Sequence, residues 1–181
     1  MKTESNVMYV IRLAAILLII TSLVAAALAG VNSITAPVIA RLTAEKTQMA
    51  IEAVLPGGGE GIDFAPVDLV SKVYKGENGY AIEVTPGGFD NTITMMVGVD
   101  FEGKVLGIDI IKHTETAGLG AVADAETPAG QNFRGQFVGT SGSVAVTKDG
   151  GAMDSITGAT ITSRAICDGV NAALACAATL G

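Results

Sequence analysis

One charge-free stretch, residues 13–31, constrains this chain more than any other part of its sequence. A helix of these 19 residues, rising 1.5 Å per residue, matches the hydrocarbon core of a bilayer, which is roughly 30 Å thick. We therefore predict an uncleaved transmembrane helix. A cleaved signal peptide is the alternative, because Lys2 and Arg12 give a basic start and residues 27–29 read Ala-Leu-Ala, yet signal-peptide cores usually run only about 7–15 residues.

Charge is distributed unevenly around this stretch. Lys2 and Arg12 precede it, whereas the first basic residue after it is Arg41. The positive-inside rule then favours a cytoplasmic N-terminus, an extracytoplasmic C-terminal domain and a single pass through the cell (inner) membrane. The formal net charge is −7, and since residues 1–31 carry +1, residues 32–181 carry −8. A domain this acidic repels a phosphate backbone, so we expect no nucleic-acid partner.

The sequence predicts an α+β fold, in which the single N-terminal transmembrane helix is followed by one domain with an antiparallel sheet packed by helices. Residues 79–85, 92–100 and 105–111 are rich in β-branched or alternating apolar residues. Turn-forming residues at 87–90 and 101–104 separate them, which is typical of an antiparallel meander. A final helix places Ile166, Val170, Ala173, Leu174 and Ala177 on one face, and we expect this face to cover the sheet.

Three segments are predicted along the chain. Residues 1–34 form the cytoplasmic tip and the transmembrane helix, residues 35–59 a linker helix with a glycine-rich turn, and residues 60–181 the extracytoplasmic domain. Thr35 followed by Ala36 and Pro37 is typical of a helix start, because threonine caps helices and proline suits the first helical turn.

Metal and disulfide chemistry find little support in the sequence. Cys167 and Cys176 fall on opposite sides of the same predicted helix, so they cannot bridge each other, and we expect two small buried thiols. The chain has one histidine and no C-x-x-C pair. Iron–sulfur, zinc and c-type haem sites therefore have no ligand set, and we predict neither a metal site nor a catalytic residue.

The segment 154–163, DSITGATITS, brings five hydroxyl side chains and a glycine together just before the final helix. Free backbone N–H groups and the positive end of the helix dipole stabilise an anion at such a place, which suits a phosphate. A well-capped helix without a ligand is the alternative, since Ser and Thr favour caps. Arg164 is near enough to offer a charge, and Lys148 is either near the phosphate or a solvated turn lysine.

This segment resembles the flavinylation motif, with a core of S/T-G-A-T, of the FMN-binding domain found in the G and D subunits of Rnf complexes. The same domain occurs in the B and C subunits of Na⁺-translocating NADH:quinone oxidoreductases. The resemblance implies that the phosphate of FMN is esterified to the hydroxyl of Thr160. Thr157, Gly158 and Ala159 match the rest of the core, and Ser163 is expected to cap the helix beside the phosphate.

A second segment, residues 113–120, reads HTETAGLG. On composition alone it is a glycine-containing surface turn. It also resembles the second motif of the same family, H-x-E-T-x-G-L-G, with Ala117 where proline is typical. The resemblance implies that Glu115, Thr116 and Leu119 contact the ring or the ribityl chain of FMN. Alanine in place of proline is expected to loosen the turn slightly.

With both motifs and one predicted membrane span, the chain resembles the G subunits of Rnf complexes over nearly its whole length. The resemblance implies a membrane-anchored electron-transfer subunit with covalent FMN, in a complex that couples ferredoxin:NAD⁺ electron transfer to Na⁺ or H⁺ translocation. It implies multispan A, D and E type subunits as partners and a flavin transferase, using FAD and Mg²⁺, for maturation. The alternatives are a stand-alone extracytoplasmic flavoprotein, a C-type subunit of the quinone reductase, or an anchored binding module without flavin.

Overall fold

The computed structural model describes residues 2–180, with side chains from Val7 onward, and the chain divides into one unit that ends at Leu42 and another that begins at Thr43. The helices are α1 (Lys2–Val54), α2 (Pro128–Gly135) and α3 (Thr160–Leu180), and the strands are β1 (Glu60–Ile62), β2 (Val70–Lys75), β3 (Gly79–Val84), β4 (Thr94–Asp100) and β5 (Val105–Lys112). This architecture confirms the predicted α+β class, with a long apolar N-terminal helix and an antiparallel sheet packed by helices.

The described residues of the first unit all belong to α1. Among the described residues, this is the one helix long and apolar enough to cross a bilayer, and its mean hydropathy reaches 2.6. Its large apolar side chains are exposed, as Leu17 at 64% and Leu23 at 71% illustrate. Apolar side chains with this exposure suit a lipid environment. The side chain of Lys2, on which the predicted orientation partly rests, lies outside the described side chains.

The helix predicted to begin at Thr35 does not begin there. Helix α1 starts at Lys2 and continues through Pro37. The Thr35 hydroxyl donates to the carbonyl oxygen of Val31 at 3.0 Å, a bond typical of threonine inside a helix rather than at its cap. The prediction was wrong because Thr35 and Pro37 favour a helix start only where the preceding residues are not helical, and here the apolar residues before them already form a helix. The division at residue 35 remains a prediction.

The five strands form one antiparallel sheet in the order β1-β2-β3-β4-β5. The three predicted strands are confirmed as β3, β4 and β5, with bounds that differ by at most two residues. Strands β1 and β2 were not predicted. The sequence of β2, VSKVYK, mixes charged and apolar residues and only Val73 in it is buried, so no alternating apolar face marks it as a strand.

Helix α3 packs on one face of the sheet through its predicted apolar face, since Ile166, Val170 and Ala173 are fully buried. Two contacts hold the helix along its length. The amide of Asn171 exchanges hydrogen bonds of 2.8 and 2.9 Å with the backbone of Val144. Near the C-terminus, the Tyr80 hydroxyl donates to the carbonyl oxygen of Leu180 at 3.1 Å. Helix α3 is therefore fixed to the rest of the domain well beyond its first turn.

Both cysteines of α3 are free and buried. Burial raises the pKa of the Cys167 thiol to about 11, and it also raises the pKa of Cys176. Both therefore stay protonated at neutral pH and pack as small apolar side chains, as expected.

The other face of the sheet is covered by the last turns of α1, whose Ala50, Ile51 and Val54 are buried within the second unit. Gly98 in β4 allows this packing, because a Cβ at that position would collide with the carbonyl oxygen of Val54. The close approach that a glycine inside a strand suggests is thus made by the end of a helix.

Candidate functional site

The DSITGATITS segment leads into α3, which begins at Thr160, and its last four residues form the first turn of that helix. The first intrahelical hydrogen bond runs from the N–H of Ser163 to the carbonyl oxygen of Ala159, at 3.0 Å. The N–H groups of Thr160, Ile161 and Thr162 therefore precede the hydrogen-bonded ladder, where the helix dipole is positive. A negatively charged group on the Thr160 side chain would be stabilised by this end of the helix.

Ser163 was predicted to cap this helix, and that prediction is wrong, because Ser163 lies inside the first turn. Its hydroxyl is fully buried, donates to the carbonyl oxygen of Ala159 at 2.9 Å and accepts from the N–H of Ile156 at 3.0 Å. Because its hydroxyl both donates and accepts a hydrogen bond, Ser163 links the helix to the chain before it. The structure thus gives it a supporting position rather than a surface from which to bind a ligand.

A type II turn precedes the helix and is defined here as the attachment turn, Ile156 to Ala159. The N–H of Ala159 donates to the carbonyl oxygen of Ile156 at 2.9 Å, and Gly158 between them has a φ of +78°. That φ is the one a type II turn requires at its third residue, and glycine adopts it without steric cost. Thr157 and Gly158 are exposed, while Ala159 is buried.

The chain leading into the attachment turn is held by the residue that follows α2. The side-chain amide of Gln136 donates to the carbonyl oxygen of Asp154 at 3.3 Å and accepts from its N–H at 2.7 Å. On either side of it along the chain, Phe133 and Phe137 are buried with their rings 5.6 Å apart, so this pair belongs to the hydrophobic core. Gln136 was not singled out in the sequence, which carries no local signal for a contact across 18 residues.

The five hydroxyls of the segment differ sharply in accessibility. Thr162 and Ser163 are 1% and 0% exposed, Ser155 and Thr160 are half-buried, and Thr157 is exposed. Among the described residues, Thr160 is the one of the five whose hydroxyl bonds to a basic side chain, because it accepts from the ammonium group of Lys148 at 2.8 Å. Thr160 is therefore both reachable and next to a positive charge, and Lys148 lies at the candidate phosphate position.

Lys148 lies on a short 3-10 turn, Thr147–Asp149, together with an acidic neighbour. Asp149 binds the guanidinium of Arg164 through two hydrogen bonds of 2.6 and 2.7 Å. These bonds lower the pKa of Asp149 below its usual range, so the carboxylate is ionised at neutral pH. Arg164, predicted to offer a charge near the phosphate, is instead paired with Asp149.

The second motif also contains a type II turn, defined here as the loop turn, Thr116 to Leu119. The N–H of Leu119 donates to the carbonyl oxygen of Thr116 at 3.1 Å, and Gly118 has a φ of +75°. Ala117 occupies the second position, where proline is favoured in type II turns. Thr116 and Leu119, both predicted to contact FMN, are exposed on this turn.

Glu115 joins the two motifs. It is only 8% exposed, and one carboxylate oxygen accepts the N–H of Phe89 at 2.9 Å. The other oxygen accepts the hydroxyl of Thr162 in a short hydrogen bond. Since both oxygens of this predicted flavin contact have protein partners, the carboxylate acts as a tie between the loop and the helix start. Thr162, two residues after Thr160, was not predicted to take part.

The two turns also meet through an apolar contact. A Cβ at Gly158 would lie 3.0 Å from Cδ2 of Leu119, so the Leu119 side chain lies directly against the attachment turn. Leu119 remains 43% exposed and Ile161 48% exposed. Two motifs about forty residues apart in sequence thus form one surface, on which Leu119 and Ile161 are exposed apolar side chains.

A groove of about 520 Å³ borders both turns. It is lined by apolar and polar residues, namely Gly118, Val122, Ala129, Asn132, Phe133, Gln136, Asp154, Ser155, Ile156 and Thr157. This volume lies in the range of cofactor sites, roughly 300–1,000 Å³. A smaller cavity of about 80 Å³ lies between Phe89, Glu115, Thr116, Leu119 and their neighbours. The site therefore fits FMN, with a hydroxyl, free N–H groups and an ammonium for the phosphate and a groove beside them.

Comparison with known proteins agrees with this geometry. The model of the FMN-binding domain family matches residues 88–175, which include both turns. The G subunit of the ion-translocating oxidoreductase complex from Methanosarcina acetivorans is 32% identical over 87% of this chain and 89% of its own length. The G subunit of the Na⁺-translocating ferredoxin:NAD⁺ oxidoreductase complex from Acetobacterium woodii is 30% identical over 94% and 92%. The corresponding Yersinia pestis protein is 48% identical, over 52% of this chain and 47% of its own length.

Proposed function

Because the chain belongs to the family of G subunits of ion-translocating oxidoreductase complexes and contains an FMN-binding domain, we propose that it carries FMN covalently, as a phosphoester of Thr160. Family membership makes it a membrane-associated electron-transfer subunit of a multi-subunit complex. The bound FMN supplies the redox chemistry. The residues of the chain bind and position the FMN, and we expect no separate catalytic residue.

The single observation that carries the proposal is the hydrogen bond between Lys148 and the accessible hydroxyl of Thr160, at 2.8 Å on the first residue of α3. A phosphoester at this oxygen has one negative charge. The free N–H groups of the helix start and the ammonium both favour that charge. Thr157 and Gly158 are the exposed turn residues beside it, and the buried Ala159 sets the position of the first helical turn.

For the flavin ring and ribityl chain, we propose contacts with Thr116 and Leu119 of the loop turn. The loop turn borders the 520 Å³ groove through Gly118, and Leu119 offers an exposed apolar side chain next to Gly158. We propose that Glu115 acts on FMN indirectly, by keeping the loop turn and α3 together. Ser163 has the same supporting role for the attachment turn.

The function of the whole complex is also a proposal. We propose that it couples electron transfer between ferredoxin and NAD⁺ to translocation of Na⁺ or H⁺, since the name of the Acetobacterium woodii relative describes a Na⁺-translocating ferredoxin:NAD⁺ oxidoreductase complex. The subunit would then lie in the cell membrane with residues 1–34 as cytoplasmic tip and span, residues 35–59 as linker, and residues 60–181 outside the cytoplasm. Its partners would be multispan A, D and E type subunits. A flavin transferase using FAD and Mg²⁺ would attach the FMN.

Intact mass after denaturation tests the attachment. Co-expressed with a flavin transferase, the wild-type chain is expected to gain the mass of one FMN ester and to fluoresce in a denaturing gel. Thr160→Ala should lose both signals completely, whereas Thr157→Ala, the matched control at the other accessible threonine of the core, should keep a covalent flavin. A wild-type mass equal to the bare polypeptide would sink the covalent proposal, and co-purification of multispan subunits separates a complex from a stand-alone flavoprotein.

A further inference from the structure

We propose that Lys148 is the positioning residue for flavin attachment, holding the Thr160 hydroxyl for attack and then neutralising the phosphoester that results. The inference rests on the proposed covalent attachment and assigns a residue outside both sequence motifs. Its starting point is the 2.8 Å hydrogen bond from the Lys148 ammonium to the Thr160 hydroxyl oxygen.

Lys148 is exposed, but the backbone that carries it is fixed. The N–H of Thr147 donates to the carbonyl oxygen of Met153 at 2.8 Å, and the N–H of Met153 donates to that of Ala145 at 3.0 Å. The turn closes at Gly150, which has a φ of +84° and donates to the carbonyl oxygen of Thr147 at 3.1 Å. Lys148 is therefore presented to Thr160 by the same chain segment that leads into the attachment turn.

The surrounding charges leave Lys148 available to a phosphate. Asp149 lies next to it, yet both of its oxygens bind the guanidinium of Arg164. The pair Asp149–Arg164 is neutral as a whole, so the cluster of Lys148, Asp149 and Arg164 carries one net positive charge. A phosphodiester on Thr160 carries one negative charge, and the attached state is electrically balanced.

The attachment step is a phosphoryl transfer from a flavin dinucleotide. The Oγ1 of Thr160 forms a bond to the phosphorus on the flavin side, the P–O bond to the adenylate breaks, and AMP leaves with the electron pair. The hydroxyl proton passes to a base of the transferase. Lys148 takes no part in the proton transfer: its hydrogen bond to the Thr160 oxygen fixes the direction of that oxygen and stabilises negative charge as it develops there.

The test uses the full chain in detergent, purified from cells without the transferase, and measures the rate of mass gain with transferase, FAD and Mg²⁺. Lys148→Gln is expected to slow the reaction about tenfold, the scale of one lost charge-assisted hydrogen bond. Lys148→Arg should restore most of the rate. Lys104→Gln is the matched control, because it removes an exposed lysine whose partner is Glu102, and its rate should equal that of the wild type.

Two further readouts separate positioning from folding. Thermal unfolding of Lys148→Gln should match the wild type, since the side chain is exposed. The wild-type rate should fall with added NaCl more steeply than the rate of Lys148→Gln, because salt screens the ammonium. Equal rates for the wild type and Lys148→Gln, or an arginine variant as slow as glutamine, overturn the role of Lys148 while attachment stands. A wild-type chain that gains no mass overturns both proposals.

Discussion

The loop turn and the attachment turn have the same backbone conformation but different surroundings. Each is a type II turn with glycine at its third position, at Gly118 and Gly158. A Cβ at Gly118 would meet nothing within 4 Å, whereas one at Gly158 would meet Leu119 at 3.0 Å. The loop turn leads into a 3-10 segment of five residues, Gly120–Asp124, and the attachment turn into the 21 residues of α3.

This difference shows that glycine can be required for two reasons, its backbone conformation and the space its missing side chain leaves. At Gly118 the demand is conformational, because only the positive φ excludes other residues. At Gly158 the demand is conformational and steric, because the neighbouring turn occupies the space a side chain would need. The attachment turn is thus constrained by its contact with the loop turn, which brings the two motifs together beside Thr160.

The largest expected effect comes from separating the two turns by Glu115→Ala. The change leaves the N–H of Phe89 and the hydroxyl of Thr162 without their buried acceptor. We expect a loss of about 3 kcal/mol in the free energy of unfolding, since bonds to a charged group contribute about 1.5–3 kcal/mol each and the remaining polar groups are partly rehydrated. Urea unfolding monitored by circular dichroism measures it.

Glu77→Ala is the control for this change, because it removes an exposed carboxylate and should stay within about 0.5 kcal/mol of the wild type. A Glu115→Ala chain as stable as this control would mean that the carboxylate does not tie the turns together.

The glycines themselves give the next effect. Gly118→Ala should cost about 1–2 kcal/mol, the penalty of a left-handed conformation for a residue with a Cβ. Gly158→Ala should cost about 0.5 kcal/mol more, because Leu119 must move aside. That extra cost should vanish in a Leu119→Ala background, and a double-mutant cycle by urea unfolding measures it. A coupling energy of zero between positions 158 and 119 would contradict the steric half of the comparison.

The smallest expected effect is a gain. Ala117→Pro in the loop turn should raise the free energy of unfolding by about 0.4–1 kcal/mol, because proline suits the second position of a type II turn and restricts the unfolded chain. Differential scanning calorimetry should show a higher melting temperature. Ala121→Pro in the following 3-10 segment is the control and should lower the melting temperature, because the N–H of Ala121 donates to the carbonyl oxygen of Thr116. A lower melting temperature for Ala117→Pro would show that the loop turn cannot accept the ring.

The parts of this molecule that can be predicted from sequence are those whose residue pattern lies within a single helix, strand or turn. The apolar stretch, the alternating strands β3 to β5 and the buried face of α3 each depend on periodicity within one element. The start at Thr35 was predicted wrongly for the same reason, because a cap signal has no meaning inside a longer helix. The two turn glycines, Gly118 and Gly158, could be found in the sequence, since turn geometry is encoded within four residues.

The contacts that assemble the candidate site could not be predicted from a local sequence pattern. Gln136 reaches Asp154 across 18 residues, and Glu115 reaches Thr162 across 47. Such pairs depend on how the sheet and α3 pack, and no periodicity reports them. From the sequence, Lys148 was either near the phosphate or a solvated turn lysine. Its hydrogen bond to Thr160 favours the position near the phosphate. Family resemblance supplied the residues of the two motifs but not the tie between them.

The contacts that hold α3 far from its first turn bear on how fast electrons can move. Asn171 and Tyr80 bind the middle and the end of this helix, so the Thr160 oxygen has the positional precision of a rigid element rather than that of a loop. Tunnelling rates fall steeply with the gap between donor and acceptor. A flavin attached at Thr160 would therefore have the protein end of its tether fixed, so that changes in the gap would have to come from the ribityl chain or from motion of the whole domain.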